Sequence, residues 1–157
     1  MPKKIDVNSA KTVVGSRYPA PYDAPCATRI RRCLGDAAGL TQFGVNLTRL
    51  GPGAWSSQRH WHSAEDEFLY VVQGELVLVC DDGEEVLRAG DSAGFQAGRP
   101  DGHHLQNRSE HEALFLEIGS RRIEHDEVIY PDIDLKAPAG RAGFTHTDGR
   151  PYADKRG

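Results

Sequence analysis

Gly53-Ala54-Trp55-Ser56-Ser57-Gln58-Arg59-His60-Trp61-His62-Ser63-Ala64-Glu65-Asp66-Glu67-Phe68 decides how the rest of the chain is read. On an extended strand residues i and i+2 share a face, so His60 and His62 converge while Trp61 turns away. Four residues of turn follow, and Glu67 opens the next strand. If Glu67 faces inward with Leu69 and Val71, its carboxylate meets the two imidazoles. Imidazole with carboxylate suits Fe, Mn, Ni, Co, Cu or Zn and does not suit hard Ca. An isolated His-x-His on a strand often faces solvent. Here a glycine precedes it, a carboxylate follows, and a second histidine cluster lies about forty residues on.

That second cluster is Gly98-Arg99-Pro100-Asp101-Gly102-His103-His104-Leu105-Gln106-Asn107. Consecutive strand residues point to opposite faces, so only one of His103 and His104 can join the site. His111, His125 and His146 lie in polar contexts and read as solvated residues.

Outward from these two stretches the chain reads as β-structure. Thr28–Leu34, Phe43–Leu50, Phe68–Val72, Leu76–Cys80, Glu85–Leu87 and Ala113–Ile118 are short runs rich in Val, Leu, Phe and Tyr. No window carries a 3.6-residue apolar stripe long enough for a helix, so a sandwich or barrel is expected. Gln73-Gly74-Glu75 is expected to turn Phe68–Val72 back into Leu76–Cys80 as a hairpin. Asp81-Asp82-Gly83 is expected to do the same for Leu76–Cys80 and Glu84–Arg88. Phe68–Val72 is apolar at every position, which predicts cover on both faces and a homodimer as one source of that cover.

The 157 residues are enough for one domain, and 38% hydrophobic with 27% charged residues fits a globular chain. A formal net charge of −4 without long basic runs argues against a nucleic-acid surface. The basic start has no apolar stretch behind it, and no run is long enough to span a bilayer, so neither a secretory signal nor membrane insertion is expected. Cys26, Cys33 and Cys80 form no CxxC pair and read as free thiols of a cytoplasmic protein. The expected organisation is an N-terminal arm over 1–25, a barrel over 26–130 and a C-terminal arm over 131–157. Tyr18, Tyr22, Tyr130, Phe144 and Tyr152 are available to anchor the arms.

Taken together, these residues resemble the two signature motifs of the cupin superfamily. Gly53, His60, His62, Glu67 and Gly74 follow the first motif, with one extra residue before His60. Gly90, Gly98, His103 and Asn107 follow the second, with Gln96 where proline is usual and a longer gap before His103. The flanks at 36–46 and 130–135 look like those of small bacterial one-barrel cupins. The resemblance implies an all-β, double-stranded β-helix (jelly-roll) barrel. It also implies one divalent transition metal on His60, His62, Glu67 and His103, with His104 as the rival of His103.

Four protein ligands leave open positions on a six-coordinate ion, enough for a bidentate oxygen substrate, O2 or water. The expectation is therefore a metal-dependent enzyme on a small oxygenated molecule, of oxygenase or lyase/isomerase type, with Glu67 as ligand and proton acceptor. One alternative is a sugar-phosphate isomerase, for which Arg49, Arg59 and Arg99 are cations of the right type. The other is a small-molecule-binding barrel without turnover.

Overall fold

The computed structural model describes residues 4–153. The strands, in chain order, are β1 (Thr12–Val14), β2 (Ile30–Cys33), β3 (Phe43–Leu50), β4 (Trp61–His62), β5 (Glu67–Gln73) and β6 (Glu75–Cys80). They continue with β7 (Gly83–Arg88), β8 (Ser92–Phe95), β9 (His104–Gln106), β10 (Ala113–Ser120), β11 (Val128–Tyr130) and β12 (Leu135–Ala137). A single helical turn, Leu34–Ala37, interrupts them. One sheet has the order β1-β2-β3-β10-β5-β8; two three-stranded sheets, β7-β6-β9 and β12-β11-β4, complete the barrel. The expected strand Phe43–Leu50 is found with those bounds, and the other expected runs lie within a few residues of observed strands.

The interior changes character along its length, and the strand period explains how. On β5 the inward residues are Val71, Leu69 and Glu67; opposite them on β10 stand Phe115, Glu117 and Gly119. Val71 and Phe115 belong to a closed apolar core with Leu50, Leu76, Leu78, Leu105 and Ala113. Two residues further along each strand the same faces carry carboxylates and a glycine. One end of the barrel is thus packed with hydrocarbon, and the other is polar and hollow.

The second expected hairpin forms: β6 pairs antiparallel with β7, from Glu75↔Arg88 to Cys80↔Gly83. The first does not. β5 pairs with β10 and β8, whereas β6 pairs with β7 and β9 in the facing sheet. Gly74 is therefore a corner where the chain changes sheets. Its φ is +82°, and a Cβ there would lie 2.7 Å from the carbonyl oxygen of Glu112 and 3.0 Å from Cα of Ala113. Close approach by β10 leaves room only for glycine.

The strand Phe68–Val72 does not have both faces covered within one chain. Leu69 and Val71 are buried, but Phe68, Tyr70 and Val72 remain 42–44% exposed on the outer face.

The terminal segments are strapped to the barrel. β1 extends the large sheet through β2, and β12 extends β11, which itself pairs with β4. Tyr18, Cys26, Val128, Tyr130, Leu135 and Ala137 form a second apolar cluster, against which Trp55, Phe144 and Tyr152 pack. Tyr18 meets Tyr130 edge-on, with centroids 5.6 Å apart, and Phe144 at 5.4 Å. Residues 1–3 and 154–157 of the two expected arms lie outside the described residues.

Candidate metal centre

β4 is only two residues long, yet its pairing with β11 fixes which way His62 points. His60 sits just before it, bridged to His103 by a pair of main-chain hydrogen bonds of 3.1 and 2.9 Å. Glu67 begins β5 on the inward face. These elements bring His60, His62, Glu67 and His103 together. The Glu67 carboxylate lies 2.5 Å from His103 Nε2 through Oε2, 3.5 Å from His60 Nε2 through Oε2, and 3.2 Å from His62 Nε2 through Oε1. Donor atoms of His60, His62 and Glu67 all lie within 4.8 Å of one another.

The other ring nitrogens explain why all three Nε2 atoms face the same carboxylate. His60 Nδ1–H donates to the Gln58 carbonyl at 2.8 Å, and His103 Nδ1–H to the Asp101 carbonyl at 3.2 Å. His62 Nδ1–H donates to Asp126 Oδ2 at 2.7 Å. An acceptor on Nδ1 sets both ring orientation and tautomer, and leaves Nε2 as the donor atom a metal requires. Phe95 stacks on the His103 ring, with centroids 3.5 Å apart and planes within 7°, which fixes that imidazole further.

His104 is turned away from the centre. Its Nδ1 faces the Ser57 carbonyl at 2.8 Å and its Nε2 faces the Gln106 amide at 3.0 Å, so neither nitrogen is free. Burial lowers its pKa, consistent with a neutral imidazole held between those two partners.

Asp126 is fully buried and organises the turn between His62 and Glu67. Its Oδ1 accepts from the amides of Ala64 and Glu65 at 2.9 and 3.2 Å; its Oδ2 accepts from His62 and from Arg141 Nη2 at 2.5 Å. The same Arg141 nitrogen reaches Glu65 at 2.7 Å. His62, Glu65 and Asp126 have donors close enough to hold an ion themselves, but the guanidinium of Arg141 already supplies the positive charge between the two carboxylates. Arg141 has φ +48°, a conformation that costs about 1–3 kcal/mol in a residue with a side chain and is offset here by the two ion pairs.

Burial alone would raise the Glu67 carboxyl, but the charge of His60 and hydrogen bonds from the three imidazoles outweigh it and hold the group well below the usual carboxylate range. Burial would lower His62, yet Asp126 and Glu67 together push it up to about 9. The cluster is thus strongly anionic in demand: it attracts a proton, or in its place a cation.

The comparisons with known proteins bear on this arrangement directly. The cupin domain family matches residues 46–119, which contain all four converging side chains. A crystal structure from Silicibacter pomeroyi, described as a sugar phosphate isomerase from a cupin superfamily, is 45% identical with a TM-score of 0.89, over 96% of this chain and 97% of that one. The chain belongs to the cupin superfamily. A candidate sugar phosphate isomerase from Acidithiobacillus ferrooxidans is similar at 28% identity and TM-score 0.74, over 85% and 84% of the two chains. The polyketide cyclase of Streptomyces resistomycificus, at 20% identity, TM-score 0.61 and 76% and 80% coverage, shares the fold. Curated proteins give no match.

In this cupin a cavity of about 520 Å³ reaches from the four side chains along the polar half of the barrel. A recess of about 510 Å³ on the other side shares His62, Glu67 and His103 with it. The cavity wall includes five arginines that the sequence did not single out, Arg17, Arg29, Arg31, Arg121 and Arg141. Arg31 pairs with Glu117 at 2.7 and 3.1 Å, and Thr48 also donates to that carboxylate. Burial would lower Arg31, but Glu117 outweighs it and raises the group. Arg59 is engaged outside with Asp81 and Asp132, and Arg49 with Glu112; neither lines the cavity. Only the i, i+2 alternation from Arg29, just before β2, to Arg31 within it could have pointed to these two, and Asp126 stood in an ordinary polar run.

Proposed function

We propose that this cupin is a metal-dependent enzyme acting on a small oxygenated molecule, with one divalent transition metal held by His60, His62, Glu67 and His103. The observation that carries the reading is the convergence of three tautomer-fixed imidazole Nε2 atoms on one carboxylate in the wall of a cavity. Three neutral imidazoles and one carboxylate suit Fe, Mn, Ni, Cu, Co or Zn. When bound, such an ion supplies Lewis-acid polarisation of a substrate oxygen, or redox chemistry where the metal allows it.

The chain's own residues do the rest. Asp126 and the carbonyls of Gln58 and Asp101 hold the imidazoles in register. The cavity admits a small molecule to the same atoms. Glu67, once its Oε1 or Oε2 is free of an imidazole, is the base placed to accept a proton from a substrate carbon or hydroxyl.

A second reading, sugar-phosphate isomerase, is favoured by the 45% identity to the protein so described. The two readings share the metal centre, and an oxygenase consumes O2 whereas a lyase or an isomerase does not. Metal analysis of protein purified without chelator or nickel resin is expected to give about one ion per chain. His60→Ala and His62→Ala should lose it, His103→Ala should weaken it, and His104→Ala should keep it. Glu67→Gln should retain much of the metal and lose on the order of a hundredfold or more in turnover, as for a removed general base. Stoichiometric metal in the His60→Ala/His62→Ala double variant would remove the basis of the proposal. Turnover only in air, with redox metals and without Zn, marks an oxygenase; turnover without O2 on several metals, Zn included, marks isomerase or lyase work.

A further inference from the structure

Arg29 is 6% exposed, so its guanidinium has almost no access to bulk water. Its Nη1 donates to the Ser56 carbonyl at 2.5 Å and its Nη2 to the Gly15 carbonyl at 2.7 Å; both acceptors are neutral. Its Nε is buried and has no partner, and neither has the buried Oγ of Ser16. Among the described residues no carboxylate forms an ion pair with Arg29. The nearby acid, Glu117, is already committed to Arg31 and Thr48. Arg29 and Arg31 therefore set two positive charges against one negative in a water-poor interior. Leaving a buried cation uncompensated is costly, whereas an oxyanion on the free edge of a guanidinium gives strong charge-assisted hydrogen bonds. Arg29 and Ser16 line the same cavity as His60, Glu67 and His103.

We propose that the cavity takes a substrate bearing a carboxylate, which docks against Arg29 Nε and Ser16 Oγ while the remaining oxygens of the molecule face the His and Glu cluster. This rests on the metal-enzyme reading for the second half of the statement only; the anion site itself requires no metal. A singly charged group matches Arg29, a buried guanidinium of the cavity wall without a carboxylate partner among the described residues, which favours a carboxylate over a doubly charged phosphate monoester. The Ser56 and Gly15 carbonyls occupy Nη1 and Nη2, and because Arg29 Nε and Ser16 Oγ are themselves buried, the anion reaches them by displacing part of the cavity wall.

The test uses the full chain, stripped of metal by chelation, in a chloride-free buffer, with propionate as probe and propionamide as its uncharged counterpart. Amide NMR shifts of Gly15, Ser16 and Ser57 are expected to move and saturate with propionate and to stay still with propionamide. Arg29→Gln should weaken that binding at least tenfold, the loss of a hydrogen bond to a charged group, and Ser16→Ala several-fold. Ser16→Ala also serves should Arg29→Gln fail to fold. Equal propionate affinity in the parent protein and both variants would overturn the proposal, as would the absence of saturable shifts. Binding that survives Arg29→Gln but vanishes in His60→Ala would place the carboxylate at the imidazoles and overturn it too. Inorganic phosphate binding more tightly than propionate would overturn the carboxylate assignment. Metal content, measured separately on Arg29→Gln and Ser16→Ala before chelation, should stay at its parent value; absence of metal from the parent protein would count against the metal centre and leave the propionate result standing.

Discussion

His62 presents its two ring nitrogens to two different carboxylates, Asp126 through Nδ1 and Glu67 through Nε2. In the metal-free chain both nitrogens therefore hold protons, and the imidazole is pushed up to about 9. A folded-state pKa above the unfolded value of 6.5 contributes stability that is complete below pH 6.5 and is lost as pH rises through 9. An NMR titration of metal-free protein should show the His62 midpoint near 9, and Asp126→Asn should bring it down toward 6.5. A midpoint unmoved by that substitution would mean Asp126 does not govern the ring. Asp126 itself is depressed: burial would raise it, but His62 and the Ala64 amide outweigh this, so its share of stability is present at neutral pH and lost in acid. At this scale the sequence was informative for His60, His62 and Glu67, because the i, i+2 rule and one short turn bring them together. Asp126 is 64 residues from His62, and no local pattern marks a contact of that range.

β5 shows how an element can be legible in its span and illegible in its partners. Its alternation places Glu67, Leu69 and Val71 inward, as expected from the residues, but the glycine after it, read as a hairpin turn, is a corner between sheets. A turn glycine signals a change of direction; whether the chain returns beside itself or crosses to another sheet depends on strands thirty or more residues away. Gly74→Ala distinguishes these outcomes energetically, since the corner combines φ +82° with a 2.7 Å approach to the Glu112 carbonyl. The substitution is expected to cost about 2 kcal/mol or more in chemical denaturation. A change below about 0.5 kcal/mol would mean that β10 can move aside. The same alternation on β2 and β10 put Arg31 and Glu117 inside, a pairing hidden in the sequence because charged strand residues ordinarily face water.

Across the whole molecule the large sheet leaves a continuous apolar outer face. Phe68 and Tyr70 of β5 stand opposite Ile118 and Leu116 of β10, which stand opposite Val45 and Leu47 of β3. With Phe68, Tyr70 and Val72 each more than 40% exposed, three large apolar side chains of one strand meet water side by side. A second copy of the chain is the expected cover. Light scattering at low micromolar concentration should give about twice the chain mass of 17.3 kDa, and Tyr70→Glu should shift the population to the single-chain mass. A 17.3 kDa species for the unmodified protein would refute the dimer. The described residues include no helix long and apolar enough to cross a membrane.

The clamp on the turn between His62 and Glu67 also sets when the site can exist. Asp126 reaches back 64 residues to His62, Arg141 reaches back 76 to Glu65, and Glu117 reaches back 86 to Arg31. Each closure spends loop entropy before any contact rewards it, so a chain built this way folds on the millisecond-to-second scale typical of β-topologies. During synthesis His62 emerges long before Asp126, which orients it. On the proposed metal-centre reading, loading with an ion is therefore a late event, open only to a chain that has already closed its barrel.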